Sequence, residues 1–289
     1  MPKTIVVTDT NSSLSKSACD ANGIIQVPIH IMFGDQTFLT GEEIGDEKLF
    51  QMIDEQQTLP TTAAPSPNAF EKAFQLAFDR GADQVVCICC SSKVSATYDA
   101  AKMATKEFPG KAIAVIDSLQ LTLAEGFQVL RAVELAKEGA ELDEIVETIE
   151  ALKPRLHVYG ALPTLKYLAM GGRMGKMAAG LADTLNIKPI LTATEGKLEL
   201  LEKVRTWRKA RNRLVQLAVE TAKDTSIEQI GMFHVNNLKG TMELYDDLKK
   251  TLPVPEEYLL EEFTPGLSVH AGSGVIGYVL VMAEENEAS

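Results

Sequence analysis

Apolar and polar positions in the first half of the chain follow two alternating periods. Short runs rich in Val and Ile, bounded by Gly, Asp, Pro or Ser, read as strands at Lys3–Thr8, Ile24–Phe33, Gln84–Cys90 and Lys111–Ile116. Helical patterns lie between and after them: about Asp46–Gln57, a helix opening at Ser66-Pro67, Ala96–Phe108, and Thr122–Lys137 stopped by Gly139. Ser66 supplies a cap and Pro67 takes the first helical position, where a missing N–H costs nothing. Leu142, Ile145, Val146, Ile149 and Leu152 then recur at the spacing of one helix face. Strands and helices in alternation predict an α/β layer on a largely parallel sheet.

Lys153-Pro154 breaks that pattern and divides the chain into an N-terminal α/β domain, residues 1–153, and a C-terminal α/β domain, residues 154–289. The second half reads as helices near Pro163–Met170 and Met177–Leu185, then extended segments Pro189–Thr194 and Lys197–Val204. A long helix at Trp207–Lys223 precedes strands at Gln229–Val235, Tyr258–Phe263 and Val275–Met282, the last a candidate closing strand.

Composition adds a few exclusions. With 45% hydrophobic and 24% charged residues, the 289-residue chain has ample material for a core. It has no run of 18 apolar residues and no apolar leader of secretory type, so neither a membrane span nor export is expected. Three of its four cysteines, Cys87, Cys89 and Cys90, share one apolar run, which suits a reduced cytoplasmic core. A net charge of −12 argues against nucleic acid as a partner. That charge is uneven: residues 173–213 hold ten basic and four acidic residues, a local +6, leaving −18 elsewhere. A solvated helix face and a surface for an acidic or phosphorylated partner both account for it.

The common chemical motifs fail on context. Gly272-Ser273-Gly274-Val275-Ile276-Gly277 matches G-x-G-x-x-G, but a strand-like run follows where a dinucleotide site needs a helix. Cys87 and Cys90 in a strand point to opposite faces and read as buried packing. His30, His157, His234 and His270 show no zinc-ligand spacing, and neither a nucleophile elbow nor a phosphate loop is present, so no metal and no cofactor is expected. Two hydroxyl-rich segments are more ambiguous. Thr61–Pro67 reads as a turn before a helix, and Ser91–Tyr98 follows a strand and opens another. Each could simply cap its helix, or could offer donors to a carboxylate or phosphate.

The order of these segments resembles the DegV family. The resemblance runs from Val7-Thr8-Asp9-Thr10 through Thr61–Ser66, Ile88–Tyr98, Val115-Ile116-Asp117-Ser118, Gly171-Gly172-Arg173-Met174, Leu185–Leu191 and Val204-Arg205-Thr206 to His270 with its glycine loop. It implies two α/β domains with a long-chain fatty acid held between them. It also implies, for the FakB type, a carrier that is not itself an enzyme and presents the acyl carboxylate to a separate fatty acid kinase. Acyl phosphate would then pass to phospholipid synthesis. Thr62, Ser95 with the amide of Ala96, and His270 match the family's carboxylate-binding positions, while Arg173 and Arg205 match basic positions suited to a phosphate or the partner. The chain departs from the family at Ala63-Ala64, at Ala96 in place of glycine, and at Ser273 in place of proline. A monomer is expected, free to touch a membrane transiently. The alternatives are a stand-alone hydrolase or transferase using Ser95 and His270, and a lipid-sensing regulatory protein.

Overall fold

A computed structural model describes residues 2–173 and 187–284. The expected helix Met177–Leu185, and the motif residues Met174, Leu185 and Asn186, lie outside the described residues. The chain forms two compact units. The first comprises Met1–Lys153 with Glu195–Lys197 and Thr264–Leu267; the second comprises Pro154–Thr194, Leu198–Phe263 and Ser268–Ser289.

In the first unit, β1 (Thr4–Asp9), β2 (Ile25–Val27), β6 (Gln84–Cys89) and β7 (Ala112–Asp117) form a parallel sheet in the order β2-β1-β6-β7. Every residue of β6 is buried, as expected of a strand covered on both faces. Cys87 and Cys89 lie on one face with their sulfurs 3.6 Å apart, and all four cysteines are buried and outside any disulfide. Helix α3 (Pro67–Asp79) lays Phe70, Ala73, Phe74 and Ala77 on this sheet, and Ser66 accepts the Ala69 N–H at 3.3 Å as its cap. Helix α4 (Thr97–Ala104) packs beside it, while α5 (Leu123–Glu138) and α6 (Leu142–Leu152) also bury faces in this unit. Gly139, at φ 84°, ends α5 in the left-handed conformation that residues with a Cβ rarely adopt.

Three expectations change here. Ile24–Phe33 is two strands, because Pro28 has no N–H to continue a ladder. The chain leaves the parallel sheet after Val27, and β3 (His30–Phe33) joins a separate antiparallel sheet with β4 (Gln36–Leu39) and β5 (Thr61–Ala63). Thr62 therefore lies on a strand, opposite Ile31, and not in a turn. The helix expected over Ala96–Phe108 starts at Thr97 and tightens to a 3₁₀ turn at Thr105–Glu107, since Ala96 at its N-cap has no side-chain acceptor. Helices α1 (Lys16–Asn22) and α2 (Asp46–Gln56) complete the unit; only α2 was expected.

In the second unit, β8 (Leu156–Ala161), β9 (Lys188–Thr194), β10 (Lys197–Val204), β11 (Ile227–His234), β12 (Leu259–Glu262) and β13 (Ile276–Met282) form a mixed sheet ordered β10-β9-β8-β13-β11-β12. The closing strand β13 is wholly buried and antiparallel to both neighbours, β8 and β11. Helices α8 (Trp207–Thr221) and α9 (Leu238–Thr251) pack on the sheet through Leu214, Leu217, Leu244 and Leu248. Buried Tyr278 donates its hydroxyl to the Leu214 carbonyl at 2.7 Å. Near Pro163–Met170 the helix α7 is confined to Lys166–Met170. Helix α9 was not expected, and neither was α10 (Pro265–Ala271). A helix thus precedes the Gly272–Gly277 loop and a strand follows it, the reverse of a dinucleotide-binding turn. No helix among the described residues is long and apolar enough to cross a membrane.

Candidate functional site

The loop from β6 to α4 carries the first group of expected residues. It is held by the Ser91 N–H on the Gln120 carbonyl at 2.8 Å, and by the Val94 and Ser95 N–H groups on the Ser91 carbonyl, each at 3.1 Å. Ser95 accepts the Thr97 N–H at 3.3 Å, and its Oγ lies 2.7 Å from the Thr97 Oγ1. Ser95 is half-buried and Ala96 exposed. The segment therefore offers a hydroxyl at the positive end of a helix, a setting that favours an anion. Thr62 is half-buried on the neighbouring antiparallel sheet.

Directly behind this loop sits a feature that the sequence reading missed. Asp9, at the end of β1, accepts the Asn11 N–H at 2.8 Å and the Cys90 N–H at 2.9 Å. Glu125, in the first turn of α5, accepts the Thr8 hydroxyl at 3.2 Å. One ligand-type atom from each of Asp9, Cys90 and Glu125 lies within 4.8 Å of the other two, and all three residues are buried. Burial raises the Asp9 carboxyl to about 6 and pushes Glu125 well above the usual carboxylate range, with Asp9 adding repulsion. Each oxygen of Asp9 accepts one backbone N–H, a pattern that favours the carboxylate form. The available signal was Glu125 itself, the one charge in the stretch Leu121–Leu130.

In the second unit the structure brings His270 and Arg173 together. His270 lies in the last turn of α10, and Arg173 follows α7, donating from Nη1 to the Gly171 carbonyl at 2.5 Å. Burial first, and the Arg173 guanidinium second, lower the His270 imidazole to about 4. It is therefore neutral at pH 7 and presents one N–H donor. A Cβ on Gly171 would stand 2.3 Å from the His270 Nδ1, so the imidazole occupies the space a side chain would take. Gly171→Ala should consequently turn the imidazole out of place, at a cost of about 1–3 kcal/mol. The check is the His270 NMR signal, which should move toward an exposed histidine; an unchanged signal would refute the packing.

Arg205 is exposed just past β10. The basic stretch 173–213 is narrower in effect than its charge count. Arg213 pairs with Glu202 at 2.5 Å and Glu220 at 2.7 Å, while Arg211 pairs with Glu243 and reaches Asp247 at 3.7 Å. Those two guanidiniums are occupied by acids of α8, α9 and β10. Lys176 and Asp183 of this stretch lie outside the described residues. Thus Thr62, Ser95 and Ala96 belong to the first unit, and Arg173, Arg205 and His270 to the second.

Known proteins resemble this chain along nearly its whole length. A DegV domain-containing protein of Streptomyces coelicolor is 32% identical over 95% of this chain and 97% of its own length. The solved structure titled as fatty acid binding of a DegV family protein from Thermus thermophilus superposes with a TM-score of 0.91 at 31% identity, covering 98% of this chain and all of the other. DegV from Bacillus subtilis, described as a fatty acid binding protein, gives 0.86 at 26% identity over 98% of this chain and all of the other. A family model described as "uncharacterised protein, DegV family" matches residues 3–283, and the chain belongs to the DegV family.

Proposed function

We propose that this protein binds a long-chain fatty acid and presents its carboxylate to a separate fatty acid kinase. The observation that carries the binding reading is the end-to-end likeness, at 31% identity, to a Thermus protein titled as fatty acid binding. In this reading the carboxylate accepts hydrogen bonds from the Thr62 and Ser95 hydroxyls, the Ala96 amide and the His270 imidazole. Charge-assisted bonds of this kind are stronger than neutral ones and orient the head group. The acyl tail supplies most of the affinity, at roughly 25 cal/mol for each Å² of apolar surface buried.

In the kinase step a carboxylate oxygen attacks the γ-phosphorus of ATP, forming the acyl phosphate and releasing ADP. The exposed cation Arg205, with Arg173 near His270, suits the added charge or the kinase surface. The protein acts as a cytoplasmic carrier in this reading. A hydrolase built on Ser95 and His270 finds less support, because the sequence carries no nucleophile elbow around Ser95.

Mass spectrometry of lipid extracted from the purified protein should recover long-chain fatty acid. Protein that arrives empty and takes up neither oleate nor palmitate would refute the binding reading. Ser95→Ala and Thr62→Ala should each lower kinase-dependent phosphorylation of bound acyl chains by about tenfold, the worth of one hydrogen bond to a charged group. Unchanged turnover in both variants would remove them from the head-group site.

A further inference from the structure

We propose that Asp9 and Glu125 share a single proton in the core of the first unit, carried by Glu125, and that the charge left on Asp9 positions the loop bearing Ser95. Both side chains are fully buried. Asp9 receives two backbone N–H groups, from Asn11 and Cys90, and that pattern stabilises a carboxylate. Glu125 receives one hydroxyl, from Thr8, on Oε1. Its Oε2 is buried and has no other hydrogen-bond donor among the described residues. Two ionised carboxylates this close in a core would repel strongly; one proton between them turns the repulsion into a hydrogen bond. The donors decide which residue holds it: Asp9 is the better-solvated anion, and Glu125 is the acid that donates to it.

The titratable groups facing the pair are the thiols of Cys87, Cys89 and Cys90 on β6 and its end. Burial pushes the Cys89 and Cys90 thiols up, so they add no charge at neutral pH. Asn11 donates its amide to the Cys90 Sγ at 3.2 Å, tying the same residue down from a second direction. Asp9 therefore grips the backbone of Cys90, one residue before Ser91, whose carbonyl in turn holds the Ser95 amide. Asp9 is a positioning residue for that loop. The loop's part in ligand binding rests on the function proposed above; the shared proton does not.

The two isosteric amide substitutions should behave oppositely. In Glu125→Gln the side-chain oxygen still accepts from Thr8, and the amide N–H replaces the acid proton toward Asp9. In Asp9→Asn an NH₂ group meets one of two backbone N–H donors, and the grip on Cys90 fails. Infrared spectra of the wild-type protein at pH 7 should contain a protonated carboxylic acid band that is lost in Glu125→Gln. Amide hydrogen exchange at Cys90 and Ser91 should stay slow in Glu125→Gln and rise about tenfold in Asp9→Asn, the loss of one buried hydrogen bond to a charged group. Stability also reads the proton. The folded state keeps a proton that an ordinary glutamic acid releases above 4.5, so stability falls as pH rises past that value. Glu125→Gln should remove the part of this decline that continues above pH 6, where Asp9 has already ionised.

Absence of the acid band, equal damage from both substitutions, or a metal ion bound stoichiometrically in the purified protein would each overturn the proposal. Should Asp9→Asn fail to fold, the band and the Glu125→Gln pH profile still decide. Neither measurement uses a ligand. A protein that binds no fatty acid but shows the band would lose its proposed function and keep the shared proton.

Discussion

Gly277→Ala should destabilise the second unit by about 3 kcal/mol or more, the upper range for overpacking a core. The sign is not the usual one. Within a strand, alanine ordinarily improves on glycine, because it restricts the unfolded chain and adds a side chain to pack. Here β13 runs between β8 and β11, and a Cβ at position 277 would lie 2.3 Å and 2.4 Å from ring atoms of Phe233. It would also lie 2.5 Å from the Tyr159 backbone oxygen, which belongs to the neighbouring strand and has little room to yield. Phe233 is pinned from its other side by Phe263, with ring centroids 4.9 Å apart. Gly160, paired with Gly277 across β8, provides a graded control. A Cβ there would meet the same ring at 3.4 Å, ordinary contact, so Gly160→Ala should cost far less. Urea unfolding of both variants reads the difference. Equal midpoints for Gly277→Ala and the wild type would mean the ring does not fill that slot.

This pair of glycines also shows where sequence reading stops. The strand Val275–Met282 is legible from its unbroken apolar run, and its burial follows. Gly277 invites a ligand-binding motif, yet its role is to make room for Phe233, 44 positions earlier in the chain. The parallel sheet of the first unit is legible for the same reason as β13: strands covered on both faces are continuous apolar runs. Thr61–Ala63 is not, because a three-residue strand has too few positions to show a period and owes its form to pairing with His30–Met32. Helix α9, though not expected, is legible as well, since its buried Thr241, Leu244, Tyr245 and Leu248 recur at the spacing of one helix face, although the first of them is polar. At the site, Ser95 and His270 are recognisable by the segments around them. The Asp9–Glu125 pair is invisible, since 116 positions separate two residues that only the fold brings together.

Acidification should expose His270 as a principal weak point of the second unit. Its imidazole, ordinarily near 6.5, is lowered to about 4 by burial and by Arg173. The folded state binds this proton less readily than the unfolded chain. The stability it contributes is therefore full above 6.5 and lost as pH falls through 4. At 1.36 kcal/mol per pH unit, the full effect is of order 3 kcal/mol. The Asp9 carboxyl, raised from 3.8 to about 6, acts with opposite sign in part of the same range, because its folded form holds the proton longer. The slopes partly cancel in the wild type, and His270→Gln should leave the opposing declines of Asp9 and Glu125 uncovered. Proton NMR gives the direct reading: the His270 ring should titrate near 4 in the empty protein. Arg173→Met should bring that midpoint back toward 6.5. A carboxylate placed against the ring must act the other way from Arg173, favouring the imidazolium and raising the midpoint. Adding palmitate or oleate should therefore shift the His270 titration upward, and binding should tighten as pH falls toward the shifted value. A titration that fatty acid leaves unmoved, in protein shown to bind it, would place the head group elsewhere.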